Sequence, residues 1–167
     1  MEIINYSFPI FIKDLIISNE YISLVKNTKL SKFQFNKNNF FEKNDNNNFI
    51  QKTNNEINLF LLEIKKILNL NNHCFDDIWI QKYDKNDFHD CHVHNPHTFS
   101  FIIYIDCTDD SSETMFYNVG YPYFFIQNYK IKPKIGRCVV FHGAIPHTAL
   151  PNKDDKRLIV SGNIKFN

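Results

Sequence analysis

Histidines are concentrated in one part of this chain, and their clustering predicts a metal site. Six of the seven lie between positions 89 and 147. Neutral imidazole is the commonest protein ligand for metals such as iron, copper and zinc, so this clustering favours metal binding. At least two of the six are expected to be ordinary polar loop residues. The six are His89, His92, His94, His97, His142 and His147.

The closest pair in this group is His92-Val93-His94. On an extended strand, residues i and i+2 face the same side with Cα atoms about 6.6 Å apart, so both rings can converge on one ion. Asp90 shares that face by the same alternation. Asp90 and His94 are about 13 Å apart along an extended strand, so the pairs are His92 with His94 or Asp90 with His92, unless the strand bends or bulges.

A second histidine pair follows the apolar stretch 138–141. His142 and His147 flank a tight turn, and either could lie at the mouth of a strand. Ten residues after His147, an alternating strand begins at Arg157 and carries an Arg and two polar side chains on one face. This face predicts a cavity wall, with an edge strand facing water as the alternative. Its members are Arg157, Ile159, Ser161 and Asn163.

Arginine is scarce, which draws attention to Arg157. Only Arg137 and Arg157 occur among 19 basic residues, and the other 17 are Lys. Lys serves wherever a plain positive charge suffices, whereas Arg offers a planar fork that Lys cannot copy. The alternative is that both are ordinary surface residues.

Composition narrows the protein classes. A chain of 167 residues, 43% hydrophobic and 16% aromatic, is expected to fold as a single domain. Its net charge of +1 gives no bulk attraction to nucleic acid or acidic lipid. No apolar window approaches the roughly 20 residues that cross a bilayer. The four cysteines lack CxxC spacing and the start is unlike a signal peptide, so a reduced, cytoplasmic protein is expected.

The elements that must position these residues change in character along the chain. Apolar residues at helical spacing predict a helix over about 55–70, after a short strand over 8–12 and a helix through 20–25. Segment 36–58 contains ten Asn and is expected to be a mobile loop. From residue 78 the apolar runs are short and rich in aromatic or β-branched residues. They predict strands over 78–83, 98–105, 114–117, 129–131, 138–141 and 157–166.

Two parts of one domain are therefore expected. Residues 1–77 form an N-terminal support, and residues 78–167 form a β core. Six or more short strands with tight connections favour a sandwich or a jelly roll.

From residue 78 to residue 167 the chain resembles the 2-oxoglutarate- and Fe(II)-dependent oxygenases, in particular small members from marine phages and bacteria. The landmarks come in the order usual in that superfamily, and the spacing between His147 and Arg157 is also usual there. These landmarks are Trp79, the segment 88–94 with its HxH, the strand 100–104, the block 133–141, His147 and the segment 156–163.

The resemblance implies a mainly β fold with N-terminal helices, namely a double-stranded β-helix of the cupin-like jelly-roll type. It implies that His92 and His147 bind Fe(II) and that Arg157 binds the far carboxylate of 2-oxoglutarate. Ser161 and Tyr104 are implied as further cosubstrate residues. The implied activity is hydroxylation of a substrate by O2, with 2-oxoglutarate converted to succinate and CO2.

The sequence departs from the family at one ligand, because His94 stands where the superfamily's HxD motif has Asp. Three accounts stay open: a site of three histidines, a carboxylate from Asp90 or elsewhere, or a site that no longer supports turnover. His142 is a rival for His147, although the spacing to Arg157 favours His147. His89 and His97 are expected to lie behind the ligands, to face substrate or to be exposed.

Two other function classes compete with the oxygenase. One is a cupin-like dioxygenase with a three-histidine metal site, which needs no 2-oxoglutarate and no Arg157. The other is a jelly-roll binding protein without catalysis. Segments 121–125 and 36–58 are candidates for a lid or groove over the site.

Overall fold

The structure, a computed structural model, describes residues 8–32, 40–43, 47–118 and 128–166, with only the backbone for 31–32 and 40–43. Segment 121–125, a candidate lid, lies outside the described residues. None of the described helices is long and apolar enough to cross a membrane. The elements are β1 (Ile10–Asp14), α1 (Asn19–Asn27), β2 (Ser31–Lys32), β3 (Phe40–Lys43), α2 (Asn47–Leu68), β4 (His73–Tyr83), β5 (His89–His92), β6 (Phe99–Cys107), β7 (Thr114–Phe116), β8 (Tyr129–Ile131), β9 (Arg137–His142), β10 (His147–Ala149) and β11 (Arg157–Phe166).

Two antiparallel sheets make up the β part of the molecule. The larger has the order β1-β9-β6-β11-β4-β3-β2, and the smaller has the order β5-β10-β7-β8. A cluster of buried side chains joins the sheets, with Tyr104 and Ile159 from the larger sheet and Phe116 and Ala149 from the smaller. The mainly β fold with N-terminal helices that the sequence predicted is confirmed.

The outer face of the larger sheet carries the two helices. Side chains such as Ile57, Leu61 and Ile64 of α2 are fully buried against Val160 and Ile164 of β11 and their neighbours. Strand β11 therefore has one face in this helix–sheet core and the other toward the smaller sheet. Its period-2 alternation assigns Arg157, Ile159 and Ser161 to the inner face, as the sequence predicted.

The expectation of a loop throughout 36–58 is wrong for the strand β3 and from Asn47 onward, where α2 begins. Positions 36–39 and 44–46 lie outside the described residues. Phe49, Thr53, Ile57 and Phe60 recur at helical spacing and are all buried. This stripe packs on the sheet and on α1, where the hydroxyls of Tyr21 and Thr53 are 2.7 Å apart. Tertiary packing thus outweighs the weak helix propensity of the intervening Asn residues. The predicted start at about residue 55 was eight positions late.

Arg137 has a structural part in the sheet. Its Nε and Nη2 donate to the carboxylate of Asp14 at 2.8 and 3.1 Å, and Lys134 donates to the same carboxylate at 2.7 Å. These hydrogen bonds hold the pKa of Asp14 at about 2. The contact fastens the edge strand β1 to β9, so of the two arginines only Arg157 remains to be explained by function.

Candidate metal centre

Three histidine rings meet between the two sheets. His92 on β5 and His147 on β10 are direct partners in an antiparallel pair, and their ring centroids are 4.3 Å apart. His94 follows β5 by two residues, and its N–H donates to the carbonyl of Gly143 at 2.8 Å. One ring nitrogen from each of His92, His94 and His147 lies within 4.8 Å of the others. These spacings suit three ligands to one ion.

Hydrogen bonds fix the tautomer of each ring. The Nδ1 of His92 lies 2.7 Å from the Asp90 carbonyl, and the Nδ1 of His147 lies 3.0 Å from the Ile145 carbonyl. The Nδ1 of His94 lies 2.9 Å from Oδ1 of Asn163. A carbonyl oxygen only accepts, so each Nδ1 donates its proton and each Nε2 keeps a free lone pair. Three neutral imidazoles of this tautomer are a donor set that fits a transition metal.

Burial keeps these rings neutral. It lowers the pKa of His147 well below its ordinary value and, with the neighbouring His92, lowers the pKa of His94 to about 4. The pKa of His92 is lowered as well, again mainly by burial. Near neutral pH a metal ion therefore has little competition from protons at these nitrogens.

Asp90 does not join the group, and its predicted place on the face of His92 is wrong. The pairing of β5 with β10 shifts in register between His147 and Ala149, so three steps along β5 oppose two along β10. This irregularity brings the rings of His89 and His92 to the same side, with centroids 4.0 Å apart. The Asp90 side chain is exposed, and the residue contributes its backbone carbonyl to His92 instead.

Two other histidines lie outside the group. The ring of His142 packs against Phe8 and Phe99, and its Nδ1 accepts the N–H of Ala144 at 3.2 Å. His97 is exposed. Only His147 of the two rivals therefore joins His92 and His94 among the residues that the structure describes.

Arg157 lies in the same pocket and is almost completely buried, with 1% of its surface exposed. Its guanidinium is 4.8 Å from the ring of Tyr83, and Nη2 donates to Oγ1 of Thr114 at 2.7 Å. Within the described parts of the chain, Nε and Nη1 have no hydrogen-bond partner. A buried charge left unpaired is costly, by several kcal/mol. This arrangement is that of a receptor for an anion.

Ser161 and Tyr104 differ in their relation to Arg157. Ser161 is buried and lines the pocket. Tyr104 is absent from the described pocket wall and lies behind it, with its hydroxyl 2.6 Å from Oγ1 of Thr114. The Thr114 oxygen accepts from Arg157, and either hydroxyl can be the donor in its contact with Tyr104. The contact of Tyr104 with a cosubstrate stays a prediction, and within the described residues the Tyr104 hydroxyl contacts Thr114.

Several pocket residues were missed by the sequence analysis. Thr114 and Gln81 carried no motif, whereas His89 was named with the alternatives of lying behind the ligands, facing substrate or being exposed, and it lines the pocket. Asn163, which the sequence analysis put on the cavity wall with Arg157, is not part of the lining and instead contacts Nδ1 of His94 at 2.9 Å. The lining residues are Trp79, Gln81, Tyr83, His89, His92, His94, Ser100, Phe101, Ile102, Thr114, Phe141, His147, Ala149, Arg157, Ile159 and Ser161.

At the level of sequence, no family model and no curated protein matches the chain. Solved structures do match over most of its length. A viral collagen prolyl hydroxylase from Paramecium bursaria chlorella virus-1, in complex with 2-oxoglutarate, has a TM-score of 0.68 and 16% identity, over 93% of this chain and 94% of that one. An oxidoreductase of the 2OG-Fe(II) oxygenase family from Burkholderia pseudomallei has a TM-score of 0.67 and 13% identity, over 87% and 76%.

The chain has the fold of the 2-oxoglutarate- and Fe(II)-dependent oxygenases. A third structure with this fold is HygX from Streptomyces hygroscopicus with nickel, 2-oxoglutarate and hygromycin B bound, with a TM-score of 0.72 and 7% identity over 93% of this chain and 82% of that one. The double-stranded β-helix predicted from residues 78–167 is confirmed, and the similarity extends into the N-terminal part.

Proposed function

We propose that this protein is an Fe(II)- and 2-oxoglutarate-dependent oxygenase that hydroxylates an unidentified substrate, with O2 as co-reactant and succinate and CO2 as coproducts. The observation that carries the proposal is Arg157, a buried cation with two unpaired donors in the same pocket as three convergent histidines. A fold alone would not support an activity, because one fold hosts many functions.

The metal site in this proposal consists of His92, His94 and His147. Their Nε2 lone pairs are free and their rings are neutral near pH 7. Bound iron would supply the redox chemistry that couples O2 to oxidation of the cosubstrate and the substrate. With no carboxylate ligand, the centre would carry one more unit of positive charge than a site of two histidines and one carboxylate.

The cosubstrate site in this proposal centres on Arg157. A carboxylate of 2-oxoglutarate would accept a hydrogen bond from Nε or Nη1, the two donors without a partner, which lie on different edges of the guanidinium. Hydrogen bonds of this kind are charge-assisted and directional. Thr114 holds the guanidinium in place, and Ser161 offers a hydroxyl on the same wall. Burial of Arg157 excludes water that would weaken the ion pair.

A second candidate is a cupin-like dioxygenase that uses the three-histidine metal site without 2-oxoglutarate. The donor set of His92, His94 and His147 favours it, because no carboxylate takes part among the described residues. A cupin-like dioxygenase has no ligand for the buried guanidinium of Arg157, so we place this candidate second. A binding protein without catalysis needs neither feature.

The deciding experiment is an anaerobic titration of the Fe(II)-loaded protein with 2-oxoglutarate, monitored by the visible charge-transfer band of the iron–cosubstrate complex. We expect the band in the wild type and its loss or strong weakening in Arg157→Lys. Arg137→Lys is the matched control, because the other arginine of the chain contacts Asp14 outside the pocket.

Each result has one meaning. Tightly bound iron with no band would favour the cupin-like alternative, and failure to retain iron would favour a binding scaffold. A band that survives Arg157→Lys unchanged would remove Arg157 from the cosubstrate site. With a positive titration, succinate release in the presence of candidate substrates is the assay for hydroxylation.

The compartment is also part of this proposal. All four cysteines are free thiols in the structure. Free thiols suit a reducing compartment, and we propose the cytoplasm.

A further inference from the structure

The three histidines of the metal group are held in different ways. His92 and His147 each donate Nδ1–H to the backbone carbonyl two residues earlier in the chain, that of Asp90 or Ile145. These contacts are local and do not depend on any other side chain. His94 donates instead to the side chain of Asn163, 69 residues away. The orientation of this ring therefore depends on a distant residue.

Asn163 is itself held by the sheet. It lies on β11, opposite Ser100 of β6, and its Oδ1 also accepts from the Ser100 hydroxyl at 2.9 Å. Ser100 is 1% exposed, so this contact is shielded from solvent. Two donors on one amide oxygen leave that oxygen little freedom to turn away from His94.

Trp79 provides a second constraint on the ring of His94. The indole and imidazole rings are nearly parallel, with an interplanar angle of 9° and centroids 5.8 Å apart. Stacking fixes the plane of the ring, and the hydrogen bond to Asn163 selects its rotation and tautomer within that plane. The hydrogen bond to Asn163, and not the tautomer that a free imidazole prefers in water, therefore decides which nitrogen of His94 carries the proton.

We propose that Asn163 is a positioning residue that makes His94 a metal ligand, by accepting Nδ1–H and directing the Nε2 lone pair at the ion. This inference rests on the proposed metal site. An outer hydrogen-bond acceptor of this kind orients the ligand and raises its basicity. Because Asn163 and Arg157 are on the same strand, β11 serves the metal group and the anion receptor together.

The first test uses the metal-free protein. Long-range 1H–15N NMR correlations of the apoprotein report which nitrogen of each histidine is protonated. We expect the Nδ1–H tautomer for His94 in the wild type and a shift toward Nε2–H in Asn163→Ala. Asn163→Asp retains an acceptor oxygen and should restore Nδ1–H. A wild-type His94 protonated on Nε2 would overturn the inference.

The second test is anaerobic calorimetric titration of the apoprotein with Co(II). Asn163→Ala is expected to weaken Co(II) binding about 10- to 100-fold, and Asn163→Asp to recover most of the loss. In a His94→Ala background, Asn163→Ala should have no further effect. Asn54→Ala is the matched control, because it removes another His–Asn contact, that of His73, at 3.1 Å. Its Co(II) affinity should equal that of the wild type.

The outcomes separate the two proposals. Wild type that binds Co(II) no tighter than Asn163→Ala would overturn the positioning role and leave the metal site standing. Wild type that binds no Co(II) would overturn the metal site, while the NMR result still decides whether Asn163 fixes the tautomer. Equal losses from Asn163→Ala with and without His94 would assign Asn163 a merely structural role.

Discussion

Nη2 of Arg157 donates to Oγ1 of Thr114 at 2.7 Å, while Nε and Nη1 of this buried guanidinium have no partner among the described residues. Thr114 also lies 2.6 Å from the hydroxyl of Tyr104. One threonine thus connects the anion receptor to the core behind it. It holds the guanidinium without neutralising it, which leaves the charge available for a ligand.

Removal of this threonine hydroxyl is expected to weaken cosubstrate binding. Thr114→Val keeps the shape of the side chain but leaves the Arg157 and Tyr104 partners unpaired, at about 1–3 kcal/mol, or roughly 5- to 150-fold in the Kd for 2-oxoglutarate. Calorimetric titration of the Ni(II)-loaded protein measures this Kd. Thr114→Ser retains the hydroxyl and should bind like the wild type. If Thr114→Val also binds like the wild type, Thr114 does not position Arg157.

The third metal ligand can be tested by two substitutions that lie four residues apart in the sequence, at Asp90 and His94. Asp90→Asn should leave Co(II) affinity within about twofold of the wild type, because the Asp90 carboxylate is exposed and only its backbone carbonyl contacts His92. His94→Ala should lose at least tenfold, because it removes one of three nitrogens that converge on the site. The reverse ranking would restore Asp90 as the ligand.

The free energy of unfolding of the metal-free protein should decrease as the pH is lowered. Burial depresses the pKa of His94 to about 4 and also lowers that of His92. Below about pH 6.5 these histidines become protonated in the unfolded chain but stay neutral in the folded chain. The free energy of unfolding therefore decreases as the pH falls toward 4. Each such histidine contributes a slope of up to about 1.4 kcal/mol per pH unit.

Urea unfolding of the apoprotein between pH 7 and pH 4 measures this slope. His94→Gln removes one of the titrating groups and should give a shallower dependence than the wild type. An unchanged slope in that variant would mean that His94 titrates alike in the folded and unfolded states.

Gly162 should not tolerate a side chain. A Cβ at this position on β11 would lie 2.4 Å from the backbone oxygen of Asp77 and 2.6 Å from Cε1 of Phe101. The oxygen belongs to the paired strand β4 and cannot move without disturbing the sheet, so Gly162→Ala should destabilise the fold by about 1–3 kcal/mol or more. Thermal unfolding is the measurement, with Lys165→Ala on the same strand as control. Equal melting temperatures would show that the sheet can open there.

The sequence by itself determined the parts that follow from local periodicity and residue type. Alternation along 157–166 put Arg157 and Ser161 on one face, and the helical stripe of Ile57, Phe60 and Ile64 predicted most of α2. The histidine cluster predicted the region of the metal group. These features depend on neighbours within a few residues, so they can be inferred without a partner strand.

Tertiary structure decided the rest. An irregular register between β5 and β10 turned Asp90 outward and His89 inward, and a register shift of this kind depends on both strands. The contact of Asn163 with His94 spans 69 residues, and the unpaired state of Arg157 is a property of everything that surrounds it. Likewise, the Asn-rich start of α2 is helical because the sheet and α1 cover its apolar stripe. The sequence supplied the groups, and long-range packing decided which of them meet.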